Sequence, residues 1–373
     1  MAGSKIDAAS VLFPVTITGR VQRRTIGLRH RHCFGRSLAR TSRNRALICR
    51  RGPGLGWISA LPYDLRGGNH THMLSPDPVT FKANRMPGSL PRLPGHSILA
   101  IEGPDSGAFL QAQTMNDVSA LAPGSWQWNG WLSAKGRVIA LFALLHAEPG
   151  MYFALLPDFP APELRDRLQR YVFRSKVTLR HAEEFSCASA FPADAPLENS
   201  RDMAIGNRQA GWQLDMSGDA STRHLFVLPS DDAFLAPPDA VAHTRWFDLD
   251  LSHGFPRLGP DQVEAWTPQM LSLERLRAFS LKKGCYPGQE IVARTHYLGK
   301  ARRGLARFTG VGLDNGMVLS NPQNEQVGQL ISVSPDRAQA LAVVHLDHVD
   351  QLIRAGEKAV TALALLTGLQ RPV

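Results

Sequence analysis

The chain has 373 residues, which predicts two or three domains rather than one. Its 43% hydrophobic and 20% charged residues are typical of globular proteins and exclude wholesale disorder, collagen-like repeats and coiled coils. The formal net charge of +10 is concentrated in residues 1–72, which hold thirteen basic and two acidic residues. The rest of the chain is balanced, with 29 basic and 30 acidic side chains, so we expect it to bind no nucleic acid directly.

Residues 1–85 are predicted to be a basic, disordered extension. Residues 1–72 combine many arginines with very few acidic residues and weak helical periodicity. This pattern has three interpretations: a transit peptide, which would place the protein in the mitochondrial matrix; a nucleic-acid-binding arm; or a mis-called start codon, with Met73 as the true first residue. We favour the third, because no complete targeting signature is evident, and we then expect a cytoplasmic protein.

The four cysteines limit the metal and redox chemistry of the chain. Cys33 and Cys49 lie in the basic extension, Cys187 and Cys285 lie in the body, and no CxxC pair occurs. Zinc knuckles are therefore excluded, and two thiols are too few for a 4Fe–4S cluster of the protein's own. We predict no metal site and a reducing compartment. The longest apolar stretch is about half as long as a membrane helix, so no membrane association is expected.

Short strands alternate with helices from about residue 86 to residue 185. Apolar and alternating runs predict strands over 97–101, 125–133, 137–145, 151–156 and 176–179. Ala134-Lys135-Gly136 supplies a hairpin turn, Asp105 is placed to cap a helix that runs to about 115, and 163–173 has helical spacing. Hairpin-linked strands with intervening helices indicate an α+β lobe rather than a doubly wound parallel sheet.

A proline- and alanine-rich stretch at 191–196 is predicted to separate the two halves of the chain. A second α+β lobe, over 186–300, has strands predicted over 212–215 and 223–228 and helices over 239–251 and 268–279. From 301 the pattern changes to short strands separated by turn residues, predicted over 304–308, 328–333, 339–345 and 358–365. These strands indicate a small C-terminal β-barrel over 301–373.

Chemistry-bearing residues are densest in the run Lys283-Gly284-Cys285-Tyr286-Pro287-Gly288-Gln289-Glu290. Gly284 and Gly288 allow tight turns around the cysteine, and the residues after Gly288 have the pattern of a helix start. A thiol between lysines and a helix N-terminus lies in positive potential, which favours the thiolate. Cys285, Glu290 and Lys283 are therefore the candidate catalytic residues. The simpler alternative is a small core cysteine within a loop.

Basic residues cluster around this run in an otherwise neutral body. The cluster comprises Lys282, Lys283, Arg294, Lys300, Arg302 and Arg303. It suits an anionic ligand such as a carboxylate chain, although a run of lysines and arginines is also typical of a solvated surface.

Residues 283–290 resemble the signature K-G-C-(Y/F)-x-G-Q-E of the YgfZ-type folate-binding proteins. That family serves the assembly and repair of iron–sulfur clusters and is related to the glycine-cleavage T-protein, an aminomethyltransferase. Seven fixed positions rarely coincide by chance in a chain of this length. Further blocks match the family over about residues 87–365, among them Gly103-Pro104-Asp105, Phe109-Leu110-Gln111, Gln113-Thr114, Asp117, Lys135-Gly136-Arg137, Thr267-Pro268-Gln269 and Ile291-Val292-Ala293-Arg294.

The resemblance implies an α+β, three-lobed T-protein-like fold, with two mixed α/β lobes and a small C-terminal β-barrel around a central channel that accepts a tetrahydrofolate or a one-carbon derivative. Aromatic side chains suit the flat faces of a pterin, and lysine or arginine suits the anionic glutamate tail of a folate. One strand carries three tryptophans, Trp126, Trp128 and Trp131, and two of them can lie on the same face and form a wall for the pterin. The alternative is that they are aromatic residues of the hydrophobic core. The other candidate cofactor-binding residues are Gln111, Gln113, Asp117, Arg174, Tyr286, Gln289 and Arg294, with Lys176 near Arg174.

The sequence departs from the family at a few positions. The family commonly has Asn where Ser272 stands, and Gly-Gly-Ile near Arg277-Ala278-Phe279, so we expect the approach to the motif to differ in shape. The T-protein's catalytic Asp has no counterpart in residues 86–96, which contain no acidic residue. Aminomethyl transfer needs a positioned acid, so this absence disfavours it.

The sequence therefore predicts a folate-binding accessory protein for the assembly or repair of clusters in iron–sulfur enzymes, indirectly supporting tRNA modification through those enzymes. The expected partners are iron–sulfur enzymes or cluster carrier proteins, bound transiently by a monomer. The alternative is a tetrahydrofolate-dependent aminomethyltransferase or demethylase. Two further alternatives are a folate-independent thiol enzyme, which needs a histidine such as His296 near Cys285, and a nucleic-acid adaptor acting through residues 1–72.

Overall fold

The computed structural model describes residues 88–192, 203–219, 221–299, 301–349 and 353–371, so the predicted extension over 1–85 lies outside the described residues. The helices in these ranges are α1 (Ser106–Gln113), α2 (Ala161–Gln169), α3 (Ala240–Ser252) and α4 (Gln289–Leu298). The strands are β1 (Leu90–Pro91), β2 (Ser97–Glu102), β3 (Ser125–Leu132), β4 (Val138–Glu148), β5 (Met151–Leu156), β6 (Thr178–His181), β7 (Phe185–Ala190), β8 (Ala204–Asn207), β9 (Gly211–Asp215), β10 (His224–Pro229), β11 (Leu235–Ala236), β12 (Arg303–Thr309), β13 (Val318–Ser320), β14 (Gln326–Val333), β15 (Gln339–His345), β16 (Ile353–Ala355) and β17 (Lys358–Leu363). Short 3₁₀ helices lie at Pro260–Gln262, Leu273–Leu276 and Leu346–His348.

The first sheet has the antiparallel strand order β3-β4-β5-β2-β6. Strand β4 is buried along almost its whole length, because hydrophobic clusters cover both faces of the sheet. This explains its nearly continuous apolar sequence. The alternation of side chains along β3 places Trp126 and Trp128 in one cluster and Trp131 in the other.

The second sheet has the order β7-β10-β9-β8, and its strands are again antiparallel. Strand β7 precedes the proline- and alanine-rich stretch at 191–196 and pairs with β10, which follows it. These two strands therefore belong to one sheet, in agreement with a second lobe that starts at residue 186, and the division of the chain into halves stays a prediction.

The last six strands form a closed barrel in the order β12-β15-β14-β13-β16-β17. Strand β12 pairs with both β15 and β17, which closes the ring. Phe308, Leu330 and Val344 are fully buried in its core. The two mixed lobes and this barrel confirm the predicted α+β architecture, whereas the exact domain boundaries stay predictions. No helix in the described ranges is long and apolar enough to cross a bilayer.

The helix predicted over 268–279 is the clearest local error. Only the 3₁₀ helix Leu273–Leu276 forms there, because Ser272 and Arg277 on either side of it adopt left-handed backbone conformations, with φ of 47° and 53°. The predicted cap of α1 also differs. Asp105 occupies the capping position, but its carboxylate accepts a hydrogen bond from the backbone N–H of Lys176 (2.7 Å) instead of capping the helix.

Arg257 joins the three parts of the fold. Its guanidinium donates to Asp158 (2.8 Å), which follows strand β5 of the first sheet, and to Asp250 (3.2 Å) on α3. Its backbone N–H donates to the hydroxyl of Ser332 (3.0 Å) in the barrel strand β14, and that hydroxyl donates back to its carbonyl (2.8 Å). One buried residue therefore fixes both α+β lobes against the barrel.

Candidate functional site

Lys283 anchors the motif loop to the first lobe. Its ammonium donates to the carbonyl oxygens of Thr114 (2.6 Å) and Asn116 (2.7 Å) and lies 5.2 Å from the ring centre of Tyr286. Burial lowers the pKa of Lys283 to about 8, although the Asp117 carboxylate opposes the shift. The ammonium is therefore directed into the first lobe, where it holds the loop in place, and the predicted catalytic role of Lys283 stays a prediction.

Cys285 is exposed at the surface of this loop. Glu290, in the first turn of α4, is also exposed. Gly284 has open space around it, since no atom lies within 4 Å of an added Cβ. The thiol is thus open to large molecules as well as small ones, and the alternative of a small core cysteine is wrong.

Two glycines bring the β3–β4 hairpin turn against the start of α4. Gly288 has a φ of 79° at the N-cap, and a Cβ there would lie 2.5 Å from the carbonyl oxygen of Ser133 and 2.6 Å from the Cα of Gly136. Gly136 also has a positive φ, of 66°, and a Cβ on it would meet Ile291 at 2.8 Å. The matching blocks around Lys135 and around Cys285, about 150 residues apart in the chain, therefore meet in the fold.

Asn116 links the motif loop to the strand that carries the tryptophans. Its side-chain amide donates to the carbonyls of Trp128 (2.9 Å) and Arg277 (2.8 Å), and its own carbonyl accepts from Lys283. Its side-chain oxygen accepts from the backbone N–H of Asp117 (2.9 Å). Asn116 is fully buried and these amide and carbonyl groups are all hydrogen-bonded, so the residue is held in one conformation.

A small aromatic cavity of about 20 Å³ lies on the other side of Trp128. Trp128 packs against Phe255 with ring centres 4.6 Å apart, and Trp246 forms another wall. His96 and Asp250 contribute the polar lining. A cavity of this size has room for about one water molecule, so the aromatic walls pack almost against one another.

The polar side of the cavity is held by buried ion pairs. Asp250 pairs with Arg223 (2.8 Å) and Arg257 (3.2 Å), and the Arg223 guanidinium stacks 4.5 Å from the ring centre of Trp246. Burial, with Arg257 nearby, lowers the pKa of His96 to about 3. His96 is therefore neutral at physiological pH. Its Nδ1 lies 3.3 Å from the carbonyl oxygen of Pro94, to which it donates, so Nε2 is left as an acceptor.

The three predicted pterin-wall tryptophans lie in different places. Trp128 lines the cavity, whereas Trp126 is fully buried beneath the guanidinium of Arg371, which lies 4.5 Å from its ring centre. Trp131 faces the opposite cluster and contacts Tyr171, with ring centres 6.1 Å apart. Of the three tryptophans only Trp128 lines this cavity, and their predicted contacts with a pterin stay predictions.

The polar candidates on α1 and the turn after it have local partners. The side-chain oxygen of Gln111 accepts from the backbone N–H of Val118 (2.7 Å). The side-chain oxygen of Gln113 is buried without a hydrogen-bond partner among the described residues. Asp117 accepts from the hydroxyl (2.6 Å) and backbone N–H (3.0 Å) of Ser119, and these bonds lower the pKa of its carboxyl.

The remaining candidates surround the motif or lie apart from it. Tyr286 is buried, which raises its pKa to about 12, and its hydroxyl donates to the carbonyl of Ser280 (3.4 Å). Gln289 begins α4, and Arg294 is exposed on it. Arg174 is exposed between α2 and β6 and does not line the aromatic cavity. Their predicted ligand contacts stay predictions.

Sequence reasoning missed His96, Asn116, Trp246 and Phe255. Asn116 lies inside a block that matches the family, directly before Asp117, so that block contained a usable signal. The other three carry no local motif, and only the packing of distant segments brings them together. No group of three or more His, Cys, Asp or Glu side chains within the described ranges is arranged to hold a metal ion.

Curated relatives match most of the body of the chain. A protein named tRNA-modifying protein YgfZ from Vibrio vulnificus (strain YJ016) is 30% identical over 224 residues, which cover 57% of this chain and 67% of that protein. Proteins of the same name from Photorhabdus laumondii subsp. laumondii and Escherichia coli O157:H7 are each 28% identical, over 251 and 243 residues, covering 61% of this chain and 73% of theirs. No family model matches the chain.

Among solved structures, the glycine cleavage system aminomethyltransferase T from Bartonella henselae superposes with a TM-score of 0.61. The match covers 76% of this chain and 87% of that one at 16% sequence identity. This likeness establishes a shared fold, the T-protein fold.

Proposed function

Since this chain belongs to the YgfZ family, we propose that it is a folate-binding accessory protein for the assembly or repair of iron–sulfur clusters. In this role it supports tRNA modification indirectly, through the iron–sulfur enzymes that carry it out. The curated relatives are named for tRNA modification, and the near-neutral charge of residues 73–373 favours an indirect effect over direct binding of tRNA.

The observation that carries the proposal is the connection between the aromatic cavity and the cysteine loop. Trp128 lines the cavity, its backbone carbonyl bonds Asn116, and Asn116 in turn accepts from Lys283, two residues before Cys285. Trp128 and the loop that carries the exposed thiol are therefore parts of one bonded network. Such a network can relate a displacement of Trp128 by a ligand to the presentation of the thiol.

The side chains around the cavity have the chemistry that a pterin needs, since Trp128, Trp246 and Phe255 offer aromatic rings and His96 and Asp250 offer polar groups. The space between them, about 20 Å³, admits only about one water, so a pterin binds there only if these walls move apart. A bound tetrahydrofolate would supply one-carbon chemistry.

Cys285 is the group through which the protein acts on its clients. Of the two cysteines in the described residues, Cys187 is buried and Cys285 is exposed. One exposed thiolate can serve as a transient ligand to a nascent or damaged cluster on a partner, or react with a folate-linked adduct. The expected partners are therefore iron–sulfur enzymes or cluster carriers, bound transiently.

The first test is a calorimetric titration of the full chain with tetrahydrofolate. We expect saturable binding to the unmodified protein and to Cys285→Ala, with weaker binding to His96→Leu, which removes the polar contact in the cavity. Cys187→Ala serves as the control for replacing a cysteine. Undetectable binding at near-millimolar folate overturns the folate assignment.

A second measurement separates folate binding from the role of the thiol. Cells that lack this protein are complemented with the wild type or with Cys285→Ala, and tRNA modifications made by iron–sulfur enzymes are quantified by mass spectrometry. We expect restoration by the wild type only. Equal restoration by Cys285→Ala contradicts a role for the thiol.

The fold favours one alternative, a tetrahydrofolate-dependent aminomethyltransferase or demethylase, because the T-protein shares the architecture. The low pKa of Asp117 keeps its carboxyl ionised, so it is a base rather than the proton donor that a leaving amine needs. Formation of methylenetetrahydrofolate from an aminomethylated lipoyl protein would decide for this alternative.

A further inference from the structure

The segment 170–177, which joins α2 to β6, carries two exposed aromatic side chains. Phe173 is 85% exposed, more than any other large hydrophobic side chain of the described residues, and Tyr171 is 41% exposed. Single exposed apolar side chains are common on protein surfaces, but two aromatic ones within three residues form a patch. Covering such a patch with a partner removes apolar surface from water, which favours association.

This aromatic segment is held in place by its own contacts. Val172 and Val177 pack against one of the two hydrophobic clusters of the first sheet. The backbone N–H of Lys176 donates to the carboxylate of Asp105 (2.7 Å). Because these contacts fix the backbone on both sides of Phe173, little conformational entropy is lost when a partner covers that ring.

Three cations surround the exposed aromatic rings. Arg170, Arg174 and Lys176 are exposed, and none of them forms an ion pair with another residue in the described ranges. The carboxylate of Asp105 lies beside the segment and offsets one of the three charges. The surface around Phe173 is therefore positive, and arginine and aromatic side chains are the types that are enriched at protein interfaces.

The carboxylates of α2, the helix before the segment, do not neutralise these cations. Glu163 pairs with Arg167 (2.6 Å), and Asp166 pairs with Arg165 (2.8 Å). Each carboxylate is thus balanced by an arginine of its own helix. The positive charge of the aromatic segment is therefore available to an acidic partner.

The aromatic segment and the cysteine loop contact the same part of the first lobe. Trp131, which the Tyr171 ring contacts, forms an antiparallel β-bridge with Thr114. The carbonyl oxygen of Thr114 accepts the hydrogen bond from the Lys283 ammonium (2.6 Å), two residues before Cys285. A standard interface covers about 800 Å² on each partner, or roughly 30 Å across, which is large enough to include both surfaces.

We propose that residues 170–177 are the docking surface for a protein that presents an acidic patch around an apolar pocket, with Phe173 as the anchor in that pocket. This inference rests on the proposed function and deepens it, because the docked protein is the iron–sulfur client on which Cys285 acts. The aromatic segment selects the client by shape and charge, and the cysteine loop supplies the thiol.

A single-stranded nucleic acid also suits aromatic rings between cations, but the charges disfavour it. Residues 73–373 hold 29 basic and 30 acidic side chains, so the body as a whole does not attract a polyanion. Three cations supply few of the phosphate contacts on which nucleic-acid affinity depends. An acidic protein patch needs only local complementarity, which three cations provide.

The first experiment complements cells that lack this protein and quantifies, by mass spectrometry, the tRNA modifications made by iron–sulfur enzymes. Phe173→Ser and Arg174→Glu are expected to lower the restored level at least about fivefold, because a lost anchor or a reversed charge weakens docking. The melting temperatures and tetrahydrofolate affinities of both variants should equal those of the wild type, since both side chains are exposed.

Val311→Ser and Arg354→Glu are the matched controls. Val311 is 84% exposed, almost as much as Phe173, and Arg354 is an exposed arginine on barrel strand β16. Both variants should restore tRNA modification as the wild type does.

Photocrosslinking then identifies the class of partner. The photoreactive residue p-benzoylphenylalanine replaces Phe173 in the full chain, or Val311 as the control, and the adducts formed in cells are treated with ribonuclease and identified by mass spectrometry. We expect ribonuclease-resistant adducts from position 173 alone, formed with proteins that carry cluster-ligating cysteines. Adding Arg174→Glu should abolish these adducts, because the charge attraction is reversed.

The outcomes separate this inference from the proposed function. If the wild type restores no tRNA modification, the proposed function fails, and this inference fails with it. If the wild type restores it and the Phe173 and Arg174 variants do so equally well, only this inference is overturned. Weaker tetrahydrofolate binding by either variant also overturns it, because the segment would then act on the ligand site. Adducts that ribonuclease removes, or equal adducts from positions 173 and 311, overturn it as well.

Discussion

Burying an ammonium group costs free energy, and the contacts of Lys283 show what offsets that cost in the motif loop. Two backbone carbonyls of the first lobe, at Thr114 and Asn116, accept hydrogen bonds from this one side chain. If Lys283 were absent, both carbonyl oxygens would stay buried but lose this hydrogen-bond donor, at a cost of about 1–3 kcal/mol each. The residue therefore acts as a positioning group for Cys285, two residues later.

Lys283→Met is expected to lower the free energy of unfolding by about 2 kcal/mol at pH 7, since the two orphaned carbonyls outweigh the removal of a buried charge. Urea unfolding followed by tryptophan fluorescence measures this. Lys282→Met is the matched control, because Lys282 is exposed and should change stability by less than about 0.5 kcal/mol. Equal effects of the two substitutions would contradict an anchoring role.

The same lysine predicts a pH dependence with a defined sign. Its pKa is about 8 in the folded protein and 10.5 in the unfolded chain, so between these values the unfolded chain binds more protons. The stability of the wild type relative to Lys283→Met should therefore rise as the pH increases from about 8 towards 10. Unfolding midpoints of both proteins at pH 7.0 and pH 9.5 test this, and a fall in the difference would refute it.

The two described cysteines should differ strongly in reactivity. Burial raises the pKa of Cys187 to about 12, whereas Cys285 is exposed. In the native protein we expect iodoacetamide to label Cys285 at least about a hundredfold faster than Cys187, as followed by peptide mass spectrometry. In urea the rates should converge. Fast native labelling of Cys187 would be incompatible with the packing described above.

At the scale of elements, the start of α4 is set by the β3–β4 hairpin turn as well as by its own sequence. Gly288 and Gly136 approach so closely that neither has room for a Cβ. The helix can begin where it does only because two glycines face each other. The motif and the hairpin turn are therefore one structural unit formed by distant parts of the chain.

Gly288→Ala is expected to destabilise the protein by about 3 kcal/mol, from the left-handed φ of 79° and from contacts of 2.5–2.6 Å with the hairpin turn. Gly284→Ala is the control within the same motif, since no atom lies within 4 Å of its added Cβ. Its melting temperature should stay within 1–2 °C of the wild type, roughly the shift expected for 0.5 kcal/mol. Equal losses in both variants would argue against the close approach.

Local patterns predicted the elements whose causes are local. The alternation in β3 and the turn at Ala134-Lys135-Gly136 predicted the hairpin, and Pro287 and Gly288 predicted a helix start at Gln289. The prediction of a helix over 268–279 is wrong because Ser272 and Arg277 adopt left-handed conformations that tertiary contacts impose. The cavity residues His96 and Phe255 were missed for the same reason, since long-range packing assembles them.

At the scale of the whole molecule, Arg257 is the junction on which the relative placement of the lobes depends. Its charge is satisfied by Asp158 and Asp250, which come from different parts of the fold, and its backbone is bonded to Ser332 of the barrel. Asp250 also lines the aromatic cavity. Stability of the assembly and the shape of the cavity are therefore coupled.

Arg257→Met is expected to cost about 3–5 kcal/mol, because it leaves Asp158 without its buried partner and Asp250 with only one of two. Arg165→Met, at an exposed ion pair with Asp166, should leave the melting temperature essentially unchanged, because water screens that pair. Thermal unfolding measures the stability of both variants. A loss of stability in Arg257→Met no larger than in Arg165→Met would contradict the role of Arg257 as a junction between the lobes.

The hydrogen bond from Trp128 to Leu369 has a kinetic consequence. Its two ends are 241 residues apart in sequence, and a second bond joins Arg371 to Asp215 across 156 residues. Contacts of such sequence separation form late and slowly, after the sheets that they connect. During synthesis the two sheets can form early, but the bonds that tie Trp128 and β9 to the C-terminal segment exist only after residue 371 has left the ribosome. A stalled or clipped chain would therefore be largely folded and yet lack the contacts that fix Trp128.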